Sequence, residues 1–389
     1  MKDHDDSRNP GSQGALRRAN RARIVAELRR GGHPSQADLA RMTELAPATV
    51  SNIVRDLERD GIVVIEGTGR ARRVRLDPTG GRLVAGIDYG HRHVTVALAG
   101  ADGVVHAERR ADLPAGLPAR DGLRIATGLL DELVTAAATT VDELAAVGMG
   151  IPAPLDSRTG RVGSPTILPG WVDMPAAEVA SESLGRPVVV DNDANLGALA
   201  ELRWGSGAEV SNLIYVKLSE GVGAGLITDG RLFRGPSGTA GEFGHTTVDE
   251  LGALCRCGNR GCLETRVAAR HVVDLLRPVV GRELTIGEIV ARARDGDRGC
   301  ARVLADTGEE AGRAIADMCN VFNPELVAVG GELAQAGELL LVPMRRAVAR
   351  RGIPGAVEGL RIATASLGAQ APVLGAVAAA LDSVITIDH

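Results

Sequence analysis

The chain is 389 residues long, 44% apolar and 24% charged, with a formal net charge of −5. That length exceeds what one hydrophobic core serves, so two or three domains are expected, and with aromatics at 2% their cores must be built from Ala, Val, Leu and Ile. No stretch reaches the roughly eighteen uninterrupted apolar residues of a membrane span, and Met1 to Gln13 is polar and acidic, so a cytoplasmic protein with a disordered tail over 1–13 and no membrane partner is expected.

Charge is unevenly divided. From Gly14 to Gly80 there are 13 Arg and no Lys against 8 acidic residues, a surplus of +5, while the first thirteen residues hold −1 and the remainder −9. A basic head on an acidic body suggests a polyanion partner for the head alone. A first helix is expected from about Leu16 to Arg30, with Ile24, Val25 and Leu28 inward and Gly31-Gly32 ending it. Ser35 with Asp38 resembles a capping box for a short second helix through Arg41, and a turn over Met42 to Ala46 follows. Pro47 fits the first turn of a third helix, in which Val50, Ile53, Val54 and Leu57 form one buried stripe and Gly61 ends the run. Ala46 stands where a capping Ser, Thr or Asp is usual, so the start of this helix is loosely fixed.

The opposite face of the third helix carries Thr49, Ser51, Asn52 and Arg55, side chains that reach base edges and phosphates from a major groove. Two strands, Ile62 to Ile65 and Arg72 to Leu76, then flank the turn Gly67-Thr68-Gly69, with Arg70, Arg72, Arg73 and Arg75 making a basic wing. Residues 14–80 therefore read as a mainly α winged helix-turn-helix that binds double-stranded DNA; the alternative is a small packing or protein-interaction module.

After the turn-rich linker Asp77-Pro78-Thr79-Gly80, strands and helices alternate. Apolar runs at Leu83 to Ile87, Val94 to Leu98, Val147 to Ile151, Val188 to Val190, Leu213 to Leu218, Gly223 to Ile227 and Leu326 to Val329 indicate an α/β body with covered sheets, and a body of this size accommodates two lobes and a cleft. The apolar helical stretch Pro372 to Leu381 is expected to pack lobes or subunits.

Five cysteines are an odd number, and three crowd into Cys255, Cys257 and Cys262. With His245 ten residues upstream of the first, they supply the four ligands of a closed tetrahedral zinc site of structural type, with Gly258 and Gly261 for the tight turns. Free buried cysteines are the alternative reading.

The segment Asp191-Asn192-Asp193-Ala194-Asn195 through Glu201, the turn Gly221-Val222-Gly223-Ala224-Gly225, the run Gly241-Glu242-Phe243-Gly244-His245 and the cluster from Cys255 to Glu264 together resemble the ROK family of repressors, open reading frames and sugar kinases. The resemblance covers nearly the whole chain, and the winged helix-turn-helix in front is similar to the repressor branch. It implies a two-lobed actin-like ATPase (ribonuclease H-like) body, with 81–191 and 371–389 as N-lobe and 192–370 as C-lobe, the zinc loop lying within 245–264. It further implies a cleft in which Asn192, Asp193, Glu242, His245 and Glu264 line a sugar pocket, His245 also binding zinc and Asp193 standing where the kinases place their general base. Glu201 receives no role.

Two loops depart from the kinase pattern. Where the kinases resembled carry D-x-G-G-T, this chain reads Asp88-Tyr89-Gly90-His91-Arg92, and their G-T-G turn is Ser219-Glu220-Gly221. A carboxylate ~4 Å from a phosphate charge costs ~4 kcal/mol at an effective dielectric of ~20, roughly a thousandfold in affinity. ATP is therefore not expected, no catalytic residue is assigned, and Asp193 is at most a vestigial base. The sequence reading is a sugar-responsive regulator, a repressor, acting as a homodimer or homotetramer on an inverted-repeat operator. The alternative is an ATP-dependent, glucokinase-like sugar kinase with an accessory DNA-binding head. Pocket specificity is expected to rest on loops such as Ser164-Pro165-Thr166.

Overall fold

The structure, a computed structural model, describes residues 13–29, 33–69, 72–77, 79–114, 116–162 and 168–385. Nearly all of the expected tail, Gly31-Gly32, Arg70, Pro78 and the loop Ser164-Pro165-Thr166 lie outside them.

The head consists of α1 (Gln13–Arg29), α2 (Gln36–Thr43), α3 (Pro47–Arg59) and the antiparallel hairpin of β1 (Val63–Glu66) and β2 (Arg73–Leu76). Helix α2 starts where the sequence places it, because Ser35 and Asp38 form both bonds of the capping box. It runs two residues beyond Arg41, shortening the expected turn, and ends where Glu44 adopts a left-handed conformation at φ 53°. Helix α3 starts at Pro47 with no side-chain cap at Ala46, and Val50, Ile53, Val54 and Leu57 are buried against Ile24, Val25, Leu28 and Leu39. The linker is knitted rather than loose: Asp77 is buried and accepts from Thr79 Oγ1 at 3.0 Å and Gly81 N at 3.3 Å.

The body repeats one topology twice. The N-lobe sheet is built from β3 (Val84–Tyr89), β4 (His93–Ala99), β5 (Val105–Asp112), then β6 (Val147–Ile151) after α4 (Ala119–Ala136), and β7 (Val188–Asn192) after α5 (Ala176–Leu184), in the order β5-β4-β3-β6-β7. Helix α6 (Asp193–Trp204) leads to the C-lobe strands β8 (Leu213–Leu218), β9 (Val222–Thr228) and β10 (Arg231–Phe233). Helices α7 (Glu264–Val267), α8 (Ala269–Val280), α9 (Ile286–Arg294) and α10 (Arg298–Phe322) precede β11 (Leu326–Gly330). Then follow α11 (Glu338–Arg351), α12 (Pro354–Val357), β12 (Arg361–Thr364) and α13 (Ala371–Val384), completing the sheet order β10-β9-β8-β11-β12. In each sheet a three-stranded antiparallel meander carries two further strands in parallel, which is the actin-like arrangement.

The seven apolar runs are all strands, within a residue or two. Three strands carry no such signal. β5 reads VHAERRAD on an exposed edge, and β10 and β12 are short edge strands, so none is apolar throughout as a fully covered strand would be.

Helices α6 and α13 lie between the two sheets: α13 packs on β3 and β6, α6 on β8 and β9, and the two on each other. The Pro372 to Leu381 stretch thus packs lobe against lobe. The helices come close because Gly375 has no side chain; a Cβ there would collide with the Leu196 carbonyl. Beyond α13, Ile385 is buried in the head's core beside α1 and α3 residues. Asp382 near the end of α13 receives Arg203 at 2.5 Å and Arg29 at 3.3 Å, joining α6, α13 and the head at one carboxylate.

Candidate functional site

On the head, Asn52 and Arg55 are exposed along α3 and Thr49 and Ser51 partly so, the Arg55 guanidinium donating to Asn52 Oδ1 at 3.3 Å. Arg17 and Arg21 of α1 pair with Asp56 of α3 and with Asp60, the residue that caps its C-terminus. The wing is less uniformly available than its sequence suggests. Arg73 reaches back to Asp38 at 3.4 Å and Arg75 pairs with Glu66 and Asp77, whereas Arg72 is exposed just before β2.

In the body, the end of β7 and the start of α6 set Asn192 and Asp193 at the cleft. Asn192 is the N-cap of α6, its Oδ1 accepting from Ala194 N at 2.9 Å and Asn195 N at 3.3 Å. That oxygen is spent on the helix, so of the Asn192 side chain only the amide N–H groups are left to offer a ligand. Asp193 is buried, and its Oδ2 accepts from Lys217 Nζ of β8 at 2.6 Å. Burial would lower the Lys217 ammonium, yet the Asp193 and Asp88 carboxylates beside it hold its pKa above the ordinary lysine value.

Glu242, at the start of the short turn Phe243–His245, is pushed up to about 7 by burial and then by the negative charges of Asp193 and Glu264, so the three carboxylates lie within electrostatic reach of one another. Glu264 opens α7, but both of its oxygens are engaged: Oε2 accepts from Val222 N at 3.0 Å and Oε1 pairs with Arg256 Nε at 2.9 Å. It therefore fixes the β8–β9 turn from below instead of presenting an unoccupied carboxylate.

His245 joins Glu242 to the cysteines. Its Nε2 lies 3.6 Å from Glu242 Oε2 and its Nδ1 3.6 Å from Cys255 Sγ. Cys257 and Cys262 sulfurs are 3.6 Å apart, and the four donor atoms all lie within 4.8 Å of one another. Tetrahedral Zn–S bonds of ~2.3 Å require ligand edges of ~3.8 Å, so the cluster can hold a metal ion of that size. Gly258 and Gly261 turn the loop with φ of 95° and 62°. Burial pushes the Cys262 thiol up to about 12, so a bound cation is what would make it a thiolate.

Glu220 and His91, two of the three residues that depart from the kinase loops, come near each other: burial lowers the His91 pKa against the opposing pull of Glu220 and Asp193. Burial and then Glu220 raise Glu332, just beyond β11. Arg92 points outward. Asp88 is buried with Oδ2 2.9 Å from His93 Nε2, and its Oδ1 has no hydrogen-bond partner.

Sequence reasoning missed Lys217, although a charged residue inside the apolar run Leu213 to Leu218 was visible. It also assigned nothing to Glu201, whose buried carboxylate accepts from Ser206, Ser366 and Leu367 and ties the end of α6 to the loop before α13.

Residues 84–383 match the ROK family and residues 17–64 a winged helix-turn-helix DNA-binding family. The chain is 30% identical to the xylose repressor of Caldicellulosiruptor bescii over 97% of its own length and 98% of that protein. Among solved structures it is similar to a ROK family transcriptional regulator, a homolog of the E. coli MLC protein, with 26% identity, a TM-score of 0.78 and coverage of 95% and 96%. It is also similar to a ROK family glucokinase from Streptomyces griseus in complex with glucose and AMPPNP, with 28% identity and a TM-score of 0.68, over 77% of this chain and 99% of that one.

Proposed function

The chain belongs to the ROK family, and from that membership we propose that it is a sugar-responsive transcriptional repressor that binds a sugar between its lobes and operator DNA through its head. The observation that carries the reading is the path of α6. This helix starts at Asn192 and Asp193 in the pocket, runs about 18 Å, and ends at Arg203, which meets the same Asp382 carboxylate as Arg29 of the head. A ligand that reorients the start of α6 acts on a rod whose far end is attached to the DNA-binding unit. For operator affinity to change, the sugar must favour one lobe arrangement over the other by at least the free energy by which it shifts DNA binding.

Within this reading, Asn192, Asp193, Glu242 and His245 contact the sugar and Glu264 supports them. Thr49, Ser51, Asn52, Arg55 and Arg72 face DNA, with Arg73 shared with Asp38, and Arg70 is a further DNA-binding residue by its place in the sequence of the wing. His245, Cys255, Cys257 and Cys262 hold a structural zinc ion, which would keep the His245 ring directed at Glu242. The acidic neighbourhood of Glu220 and Glu332 opposes nucleotide phosphates, so the protein senses without phosphorylating. It works as a homodimer or homotetramer on an inverted repeat, which gives two short recognition helices enough base pairs to read. Among the described residues no helix is long and apolar enough to cross a membrane, which fits a cytoplasmic regulator.

The second reading, an ATP-dependent sugar kinase carrying a DNA-binding head, draws on the presence of Asp193 and on the similarity to the glucokinase. Binding of full-length protein to the duplex upstream of its own gene, titrated with D-xylose, D-glucose and N-acetyl-D-glucosamine, is expected to give a salt-dependent complex whose affinity one sugar changes at least about tenfold, or ~1.4 kcal/mol. Sugar-dependent ADP release that Asp193→Asn abolishes would establish the kinase instead. Metal analysis of fresh protein is expected to return one zinc per chain.

A further inference from the structure

Lys217 is one of two lysines in a chain with 42 arginines. It is the penultimate residue of β8, and Asp88 is the penultimate residue of β3, the corresponding strand of the other sheet. Each also pairs with a glycine of the neighbouring parallel strand, Gly330 and Gly150. The two lobes thus place an ammonium and a carboxylate at matching positions on either side of the cleft, with Asp193 bound to the ammonium at 2.6 Å and both partners of that pair largely buried. Two further cations are committed in the same way: Arg256 to Glu264 at 2.9 Å and Arg234 to Asp191 at 2.7 Å.

We infer, on the sugar-binding reading above, that Lys217 holds Asp193 in place as a hydrogen-bond acceptor, so that the cleft holds a neutral sugar and discriminates against its phosphate ester. Asp193 Oδ2 is taken up by the ammonium at 2.6 Å, so one of the two oxygens that could receive a proton from a hydroxyl is already engaged. Asp193 still accepts a hydrogen bond, through Oδ1, from a sugar hydroxyl. Binding survives and proton abstraction is suppressed. A compact ammonium does this with one point charge, where a guanidinium fork would need more room and more acceptors. A phosphoryl group on the same hydroxyl would bring negative charge beside the Asp193 carboxylate, where Lys217, Arg256 and Arg234 are already paired to carboxylates. Lys217 is thus a positioning residue that acts through Asp193.

The test is calorimetric titration of full-length protein at pH 7.5 with D-xylose, D-glucose and N-acetyl-D-glucosamine, and with the 6-phosphates of the last two. A neutral sugar is expected to bind, and the phosphate ester at least ~100-fold more weakly. Lys217→Met is expected to lose at least ~10-fold in affinity, and most of that loss should vanish when Asp193→Asn is already present, a non-additivity that a packing role would not produce. The ester comparison uses the unaltered protein, so it decides the matter even where a variant fails to fold. A phosphate ester that binds as tightly as its parent, or additive effects of the two substitutions, overturns the inference alone. Absence of binding by every sugar, phosphorylated or not, overturns the sugar reading and this inference with it.

Discussion

Replacing Glu201 should unlock the far end of α6. Its Oε2 accepts from Ser206 N at 2.8 Å, Ser206 Oγ at 2.7 Å, Ser366 N at 3.2 Å and Ser366 Oγ at 3.1 Å, and its Oε1 accepts from Leu367 N at 2.8 Å. In Glu201→Ala three backbone N–H groups lose their acceptor in a buried place, and at about 1–3 kcal/mol for each stranded donor, partly relieved by water entering the space, the loss should be about 3–5 kcal/mol. Glu201→Gln keeps the shape but not the pattern. If its carbonyl takes the crowded Oε2 position, the amide NH2 points at the Leu367 N–H, donor against donor, for about 2 kcal/mol. Urea unfolding of both variants, followed by circular dichroism, measures the two losses and their order. A Glu201→Gln protein within about 0.5 kcal/mol of the parent would refute the reasoning, since the site would then not depend on an acceptor at both oxygens.

Other substitutions probe the joint, the wing and the cleft. Asp382→Asn removes the charge that pairs with both Arg203 and Arg29, and in fluorescence anisotropy it should shrink the effect of sugar on operator affinity at least about threefold while affinity without sugar changes less; an undiminished response would exclude this joint from the coupling. Arg72→Ala should reduce the slope of log affinity against log salt by about 1, whereas Arg75→Ala, whose guanidinium is taken up by Glu66 and Asp77, should leave the slope unchanged. Burial lowers the pKa of folded His91 below that of the unfolded chain, so the stability its neutral form contributes is present at higher pH and is lost as pH falls from the unfolded histidine value through the lowered folded one. His91→Gln should therefore gain on the parent in urea unfolding below about pH 6.5, and a pH-independent difference between the two would contradict this.

Much of this protein could be read along the chain because some signals are carried by single residues and their near neighbours. The stripe Val50, Ile53, Val54, Leu57 marks α3 since burial repeats with the helical turn, Ser35 and Asp38 mark the start of α2 since a cap is a local bond, and the crowding of Cys255, Cys257 and Cys262 in one loop announces a metal site. What the sequence could not supply were relations between distant positions. The edge strand β5 carries charges because one side meets solvent, and only its pairing with β4 makes it a strand. Asn192 and Glu264 looked like open ligand groups until the fold spent their oxygens on the cap of α6 and on Val222 and Arg256. Lys217 with Asp193, Glu201 with Leu367, and Arg29 with Asp382 lie 24, 166 and 353 residues apart, the last separation following from their numbers. Hydrophobic periodicity records which face of an element is buried, a property of that element alone; which charge meets which across the cleft is decided only when two sheets close on α6 and α13.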